Sequence, residues 1–171
     1  GLHSGVTDAT HSIFLESAFF SAGSVRATSF RHGLRTDAAT RFEKGVDISN
    51  TVFVLQRAAS LICELAGGKA ASEVIDVYPQ PLPKTKVDVS YAYIHKLSGK
   101  QYEPAKIKNI LTSLGFEVIK EAPEGIQVTV PYSKPDISLP CDIVEEVMRV
   151  DGLDNIEIPT HIVMAPAITA Q

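Results

Sequence analysis

Cysteine is scarce in this chain. Cys63 and Cys141 are the only two, far apart, and neither belongs to a C-x-x-C pair or a Cys/His ligand spacing. They read as reduced, packed thiols of a cytoplasmic protein. No apolar run reaches the ~18 residues that a membrane-spanning helix needs, so no membrane role is expected. A charged segment followed by a short apolar core is also missing, so no signal peptide is expected. Surplus positive charge is lacking as well. The net charge is -4 with a pI near 5.7, which argues against the whole chain as an electrostatic nucleic-acid binder. His3, His11, His32, His95 and His161 are scattered, and no Ser or Cys stands in a nucleophile-elbow context, so nucleophilic catalysis finds no support.

What is present is an ordinary globular composition. Of 171 residues, 44% are hydrophobic and 21% charged, enough to bury a core in one domain or two small ones. The chain opens on Gly1 in the middle of a pattern and reads as a piece of a longer polypeptide. Pro79-Gln80-Pro81-Leu82-Pro83 divides it, because each proline fixes φ and lacks an N–H. The expected layout is a first unit at 1–78, a Pro-rich linker at 79–83, a second unit at 84–160 and a tail at 161–171.

In the first unit, the apolar run from Ile13 to Phe20 reads as a buried strand. Ser24 then caps a helix over Val25 to His32, stopped by Gly33. Thr40 and Glu43 have capping-box spacing. A long helix runs from about Ser49 to Ala66, with Val54, Ala58, Leu61 and Leu65 as its apolar stripe, widened by Leu55 and Ile62. Glu73 to Tyr78 alternates as a strand. Arg26, Arg31, Arg35, Arg41 and Lys44 against Asp37 and Glu43 give residues 26–44 a local charge of +3. That patch suits phosphate or a solvated helix face.

The second unit begins with a strand at Lys86–Ser90 and a short helix over Tyr91–Leu97. Pro104 stands at the first position of a helix whose apolar face is Ile107, Ile110, Leu111 and Leu114. Phe116–Ile119 and Ile126–Val130 form a hairpin, and a helix starts near Asp142. The fold class is therefore α+β, with a winged-helix-like outline in the second unit.

Between Pro131 and Pro159, four carboxylates crowd into eleven residues: Asp136, Asp142, Glu145 and Glu146. Asp142 and Glu145, three apart, mark a helix N-terminus. Ile143, Val147 and Val150 share its apolar face, with Val144 and Met148 beside them, and Gly152 ends it. Asp142 and Glu146 lie four apart, on one side of the helix. A hard cation would relieve their repulsion, although magnesium normally keeps several waters and one or two protein carboxylates. Capping together with a solvated face is the alternative explanation.

Three segments, SIFLESAFFS at 12–21, RHGLRTDAATRFEKGVD at 31–47 and DIVEEVMRVDGLDNI at 142–156, occur in series with LGFEV at 114–118. Together they resemble the beta subunit of bacterial phenylalanyl-tRNA synthetase over nearly the whole chain. The resemblance implies that residues 1–78 are the C-terminal part of a domain that edits mischarged tyrosyl-tRNA, and that 84–160 are the small domain after it. It implies that Glu16, Thr36 and Ala38 line the editing pocket, with Glu16 accepting the tyrosine hydroxyl. It also implies a Mg²⁺ shared with an alpha subunit at Asp136, Asp142, Glu145 and Glu146. Further implications are tRNA-Phe as partner, a heterotetrameric parent, and ATP bound by the parent rather than by this piece, which has no P-loop pattern. By itself the piece is expected neither to aminoacylate nor to edit.

Without the resemblance, Glu16 is a solvent-facing strand charge, and Thr36 with Ala38 a capped turn. Arg35 and Arg41 could hold a tRNA terminus or pair with Asp37 and Glu43. Three positions depart from the family pattern: Lys134 for Arg, Asp151 for an aromatic residue, and Ala39 for Ser. Two other functions compete. One is a stand-alone winged-helix nucleic-acid binder reading through Lys106 and Lys108. The other is a metal-dependent hydrolase, which would lack His ligands.

Overall fold

The computed structural model describes residues 5–157. The tail at 161–171, with His161 and the preceding Pro159, and His3 near the start, lie outside the described residues. The chain forms two compact units. One comprises Gly1–Pro83 with Tyr132–Pro135, and the other Lys84–Pro131 with Asp136 onward.

The first unit is helical where it is regular. Helix α1 spans Ala22–His32, α2 spans Asp37–Phe42 and α3 spans Thr51–Ala66, the last preceded by a 3-10 turn at Ile48–Asn50. Gly33 and Gly67 end α1 and α3 in the left-handed conformation that glycine adopts without a Cβ penalty. Ser24 lies inside α1, and its N-cap is Ser21. Thr40 caps nothing: its hydroxyl donates to the Thr36 carbonyl at 3.1 Å, while Thr36 is the N-cap of α2.

Neither expected strand forms here. Residues 13–20 and 73–78 are irregular, since a strand needs a neighbour for its amides and none among the described residues supplies one. Helix α3 is found, but rotated from the expected stripe. Leu55, Ala58, Ala59 and Ile62 are half-buried, whereas Val54 and Leu65 are exposed. The linker is fastened at Leu82, whose N–H donates to the Tyr78 hydroxyl at 2.7 Å and whose carbonyl accepts from the Tyr132 hydroxyl.

The second unit holds the hydrophobic core. Strand β1 (Lys86–Ser90) leads into α4 (Tyr91–Ser98) and α5 (Pro104–Ser113). Then come β2 (Glu117–Ala122), β3 (Gly125–Thr129) and α6 (Pro140–Asp151). The sheet is antiparallel in the order β1-β3-β2, with a bulge in β2 between Val118 and Lys120. Alternation sends Val87 and Val89 of β1, and Ile126 and Val128 of β3, to one face. There they join Ile94, Ile107, Leu111, Ile143, Val144 and Val147. The α+β class and this element order agree with the sequence reading. Val150 does not join the α6 face: it is 43% exposed, and the buried stripe is Ile143, Val144 and Val147.

Candidate functional site

In the first unit the candidate residues cluster around the α1–α2 corner. Past Gly33 the Leu34 N–H bonds back to the Ser29 carbonyl at 3.1 Å, and the Ser29 hydroxyl donates to the Leu34 carbonyl at 2.6 Å. This double tie turns the chain toward Thr36, whose Oγ1 accepts the Ala39 N–H at 3.1 Å and starts α2. The Phe20 and Phe42 rings meet edge to face, with centroids 5.0 Å apart.

Between these elements lies a hollow of about 410 Å³, lined by Phe20, Ser21, Ser24, Val25, Thr28, Ser29, His32, Leu34, Thr36 and Ala39. Its wall mixes an apolar side with hydroxyls and an imidazole. Thr36 belongs to it; Glu16 and Ala38 do not line it and are exposed. Sequence reasoning missed Ser24, Thr28 and His32. Their spacing along one helix face was the available signal.

In the second unit the four carboxylates have different roles. Asp142 is the third residue of α6. Its Oδ2 accepts the N–H groups of Ser138 and Leu139, each at 2.8 Å, as the N3 acid of a capping box does. Those two backbone bonds, Ser138 first, lower its pKa. The expected arrangement, with Asp142 opening the helix and Glu145 three residues on, is therefore displaced: the acid of the box is Asp142 itself, and Leu139 holds the N-cap position. Glu146 is gripped by the Arg149 fork, Nη2 to Oε2 at 2.6 Å and Nε to Oε1 at 3.3 Å, with its side chain 12% exposed. Asp136 and Glu145 are exposed. Among the described residues, no three His, Cys, Asp or Glu side chains come together as a site built wholly from protein ligands would need.

Asp151, which stands where the family pattern has an aromatic residue, is the best-enclosed carboxylate there. Its side chain is 2% exposed, with Lys100 Nζ at 2.7 Å on Oδ2 and Lys106 on Oδ1. The two ammonium groups lower its pKa to about 2. Lys100 also donates to the Asn155 carbonyl at 3.0 Å, and both lysines lie over the Tyr102 ring, 5.3 and 6.0 Å from its centroid. Burial, then the Asp151 charge, raises the pKa of Tyr102. Lys108 pairs with Glu121 at 2.7 Å. Lys106 and Lys108, the cations of a would-be recognition helix, are thus both engaged within the unit.

Residues 1–67 match the B3/4 domain family, and residues 87–153 match the tRNA synthetase B5 domain family. The phenylalanine--tRNA ligase beta subunit of Bacteroides fragilis (strain YCH46) is 43% identical over 160 residues, covering 94% of this chain. The chain belongs to the phenylalanine--tRNA ligase beta subunit family. The beta subunits of Porphyromonas gingivalis and Geobacter metallireducens are 41% and 42% identical, covering 95% and 92% of this chain. In each of the three, the chain spans about a fifth (20%) of the relative's length. No helix among the described residues is long and apolar enough to cross a membrane.

Proposed function

We propose that the chain is one part of a phenylalanine–tRNA ligase, with its first unit contributing to the removal of mischarged tyrosine from tRNA. The observation that carries this reading is the α1–α2 hollow, where Thr36 stands among hydroxyls and an imidazole beside an apolar wall. A carboxylate that accepts a phenolic O–H favours tyrosine; Glu16, exposed and outside the hollow, would take that part only where the bound tyrosyl end covers it. Phenylalanine would leave it desolvated and unpaired, and that penalty is the usual source of strong discrimination. Thr36 uses Oγ1 as an acceptor for the Ala39 N–H and keeps its hydroxyl proton for a substrate oxygen. Ala38 adds a small side chain at the start of α2. The expected partners are an alpha subunit in a cytoplasmic heterotetramer and tRNA-Phe, with ATP held by the alpha subunit.

Magnesium fits only part of the expected ligand set. Asp142 is committed to backbone amides and Glu146 to Arg149. Asp136 and Glu145 remain to face a cation, in keeping with the one or two carboxylates that magnesium takes from a protein. Such an ion would supply positive charge between the acidic end of α6 and the partner subunit.

The test uses the complete enzyme. Glu16→Ala should lower deacylation of tyrosyl-tRNA roughly 10²-fold or more while leaving phenylalanine transfer intact, and an unchanged deacylation rate would refute the editing role. Glu145→Gln should raise the magnesium concentration needed for subunit assembly, whereas an unchanged requirement would remove the shared ion.

A further inference from the structure

The proline-rich segment has little backbone with which to hold itself in place. Pro79, Pro81 and Pro83 carry no N–H, so across residues 79–83 only Gln80 and Leu82 can donate one. Both polar groups of Leu82 are taken by tyrosine side chains. Its N–H donates to the Tyr78 hydroxyl at 2.7 Å, and its carbonyl accepts from the Tyr132 hydroxyl. Gln80 and Leu82 each precede a proline, which restricts them to extended backbone. Leu82 is thus shaped by its neighbours and gripped from both sides.

The grip stands where the chain crosses. The first unit is left after Pro83 and re-entered at Tyr132. Just inside the second unit the same two passes are already paired. Lys86 lies opposite Thr129 on β1 and β3, and the Val130 N–H donates to the Thr85 carbonyl at 2.8 Å. The bond from Tyr132 to Leu82 adds one more rung, made by a side chain where the ladder has run out. Tyr78 is 41% exposed and Leu82 39%, so water competes for each bond, and either alone would contribute little. Two bonds on one peptide, with prolines narrowing its unfolded alternatives, hold far better than one.

We propose that Tyr78, Leu82 and Tyr132 form a strap that opens and closes as one piece. Closed, it pins both ends of the excursion through residues 84–131 at a single peptide. Open, it releases them together. The strap is independent of the editing reading and of any cation.

The test compares the complete enzyme with its Tyr78→Phe and Tyr132→Phe variants, each of which loses one hydroxyl and keeps the ring. Amide exchange at Leu82 is resolved by fragmentation mass spectrometry, and trypsin cleavage after Lys84 is timed in the same preparations. Tyr132→Phe removes only the partner of the Leu82 carbonyl. A one-piece strap nevertheless requires the Leu82 N–H to exchange faster, by up to roughly tenfold, the worth of one hydrogen bond. Cleavage after Lys84 should quicken by a similar factor in both variants, because it follows the open population when reclosing is fast. Wild-type exchange at Leu82 in the Tyr132→Phe enzyme would mean two independent bonds and overturn the strap. Wild-type cleavage in both variants would overturn it as well. Exchange in β3 and α6 should stay at the wild-type level; a rise there would assign the change to general loosening and count against the strap.

Discussion

At the last position of α6 the helix dipole disfavours a carboxylate, and Asp151 is held there by the ammonium groups of Lys100 and Lys106. Its pKa falls from an ordinary 3.8 to about 2, so folding favours the ionised form. The stabilisation is therefore complete above about pH 4 and is lost as the pH falls through 2. Urea midpoints measured from pH 5 to pH 2 should decline over that window. Asp151→Asn should start from a lower midpoint at neutral pH and decline less steeply. An unchanged slope would assign the acid response to other carboxylates. Gly125 is a second sensitive residue, for a steric reason. A Cβ there would lie 2.6 Å from the Val89 carbonyl oxygen and 3.0 Å from Ser90 Cα. Gly125→Ala should cost about 1–3 kcal/mol, read as a lowered midpoint in chemical denaturation.

Among the elements, those with local signals were legible in the sequence. Pro104 fixed the start of α5, alternation gave β1, and glycine stops ended α1, α3 and α4. What depended on distant partners was not. An apolar run such as 13–20 carries no sign of whether a neighbouring strand exists. Helix α3 is apolar on so much of its circumference that its period revealed a helix without revealing the packed face. Asp142 was legible as a helix-start acid, but the chain turns into α6 at Leu139, so it serves as N3. The lysines that bind Asp151 lie 51 and 45 residues away; an anion at a helix C-terminus was the one local hint that cations would be needed. Packing also sets the cost of substitutions. Leu111, fully buried on α5, should lose about 2–5 kcal/mol on replacement by alanine, whereas Leu65 on α3, 83% exposed, should change by under about 0.5 kcal/mol. Comparable losses at the two positions would contradict the packing described.

For the molecule as a whole, the decisive contrast is where apolar surface is hidden. The second unit buries a core of fifteen hydrophobic residues. In the first unit, Ser29 is the only buried residue among those described, while Phe14, Phe30, Leu65 and Ile75 stand more than 80% exposed. A polypeptide of residues 84–157 should unfold cooperatively and show slow amide exchange in β1, β3 and α6. One of residues 1–83 should exchange within seconds, because the apolar burial among its described residues is too small to offset the entropy of ordering the chain. Strong protection in the shorter piece would contradict this.

Tyr132–Pro135 belongs to the first unit although most of the second separates it in sequence. Pro135 lies against Gly45, where even a Cβ would approach its ring to 3.2 Å, and Tyr132 bonds to Leu82. On the ribosome the first unit therefore cannot close when Pro83 emerges. It must wait for residue 135, a delay of several seconds at roughly 5–20 residues per second. During that interval its apolar side chains face water and any chaperone within reach, and the hairpin of the second unit is finished before the older half of the chain is.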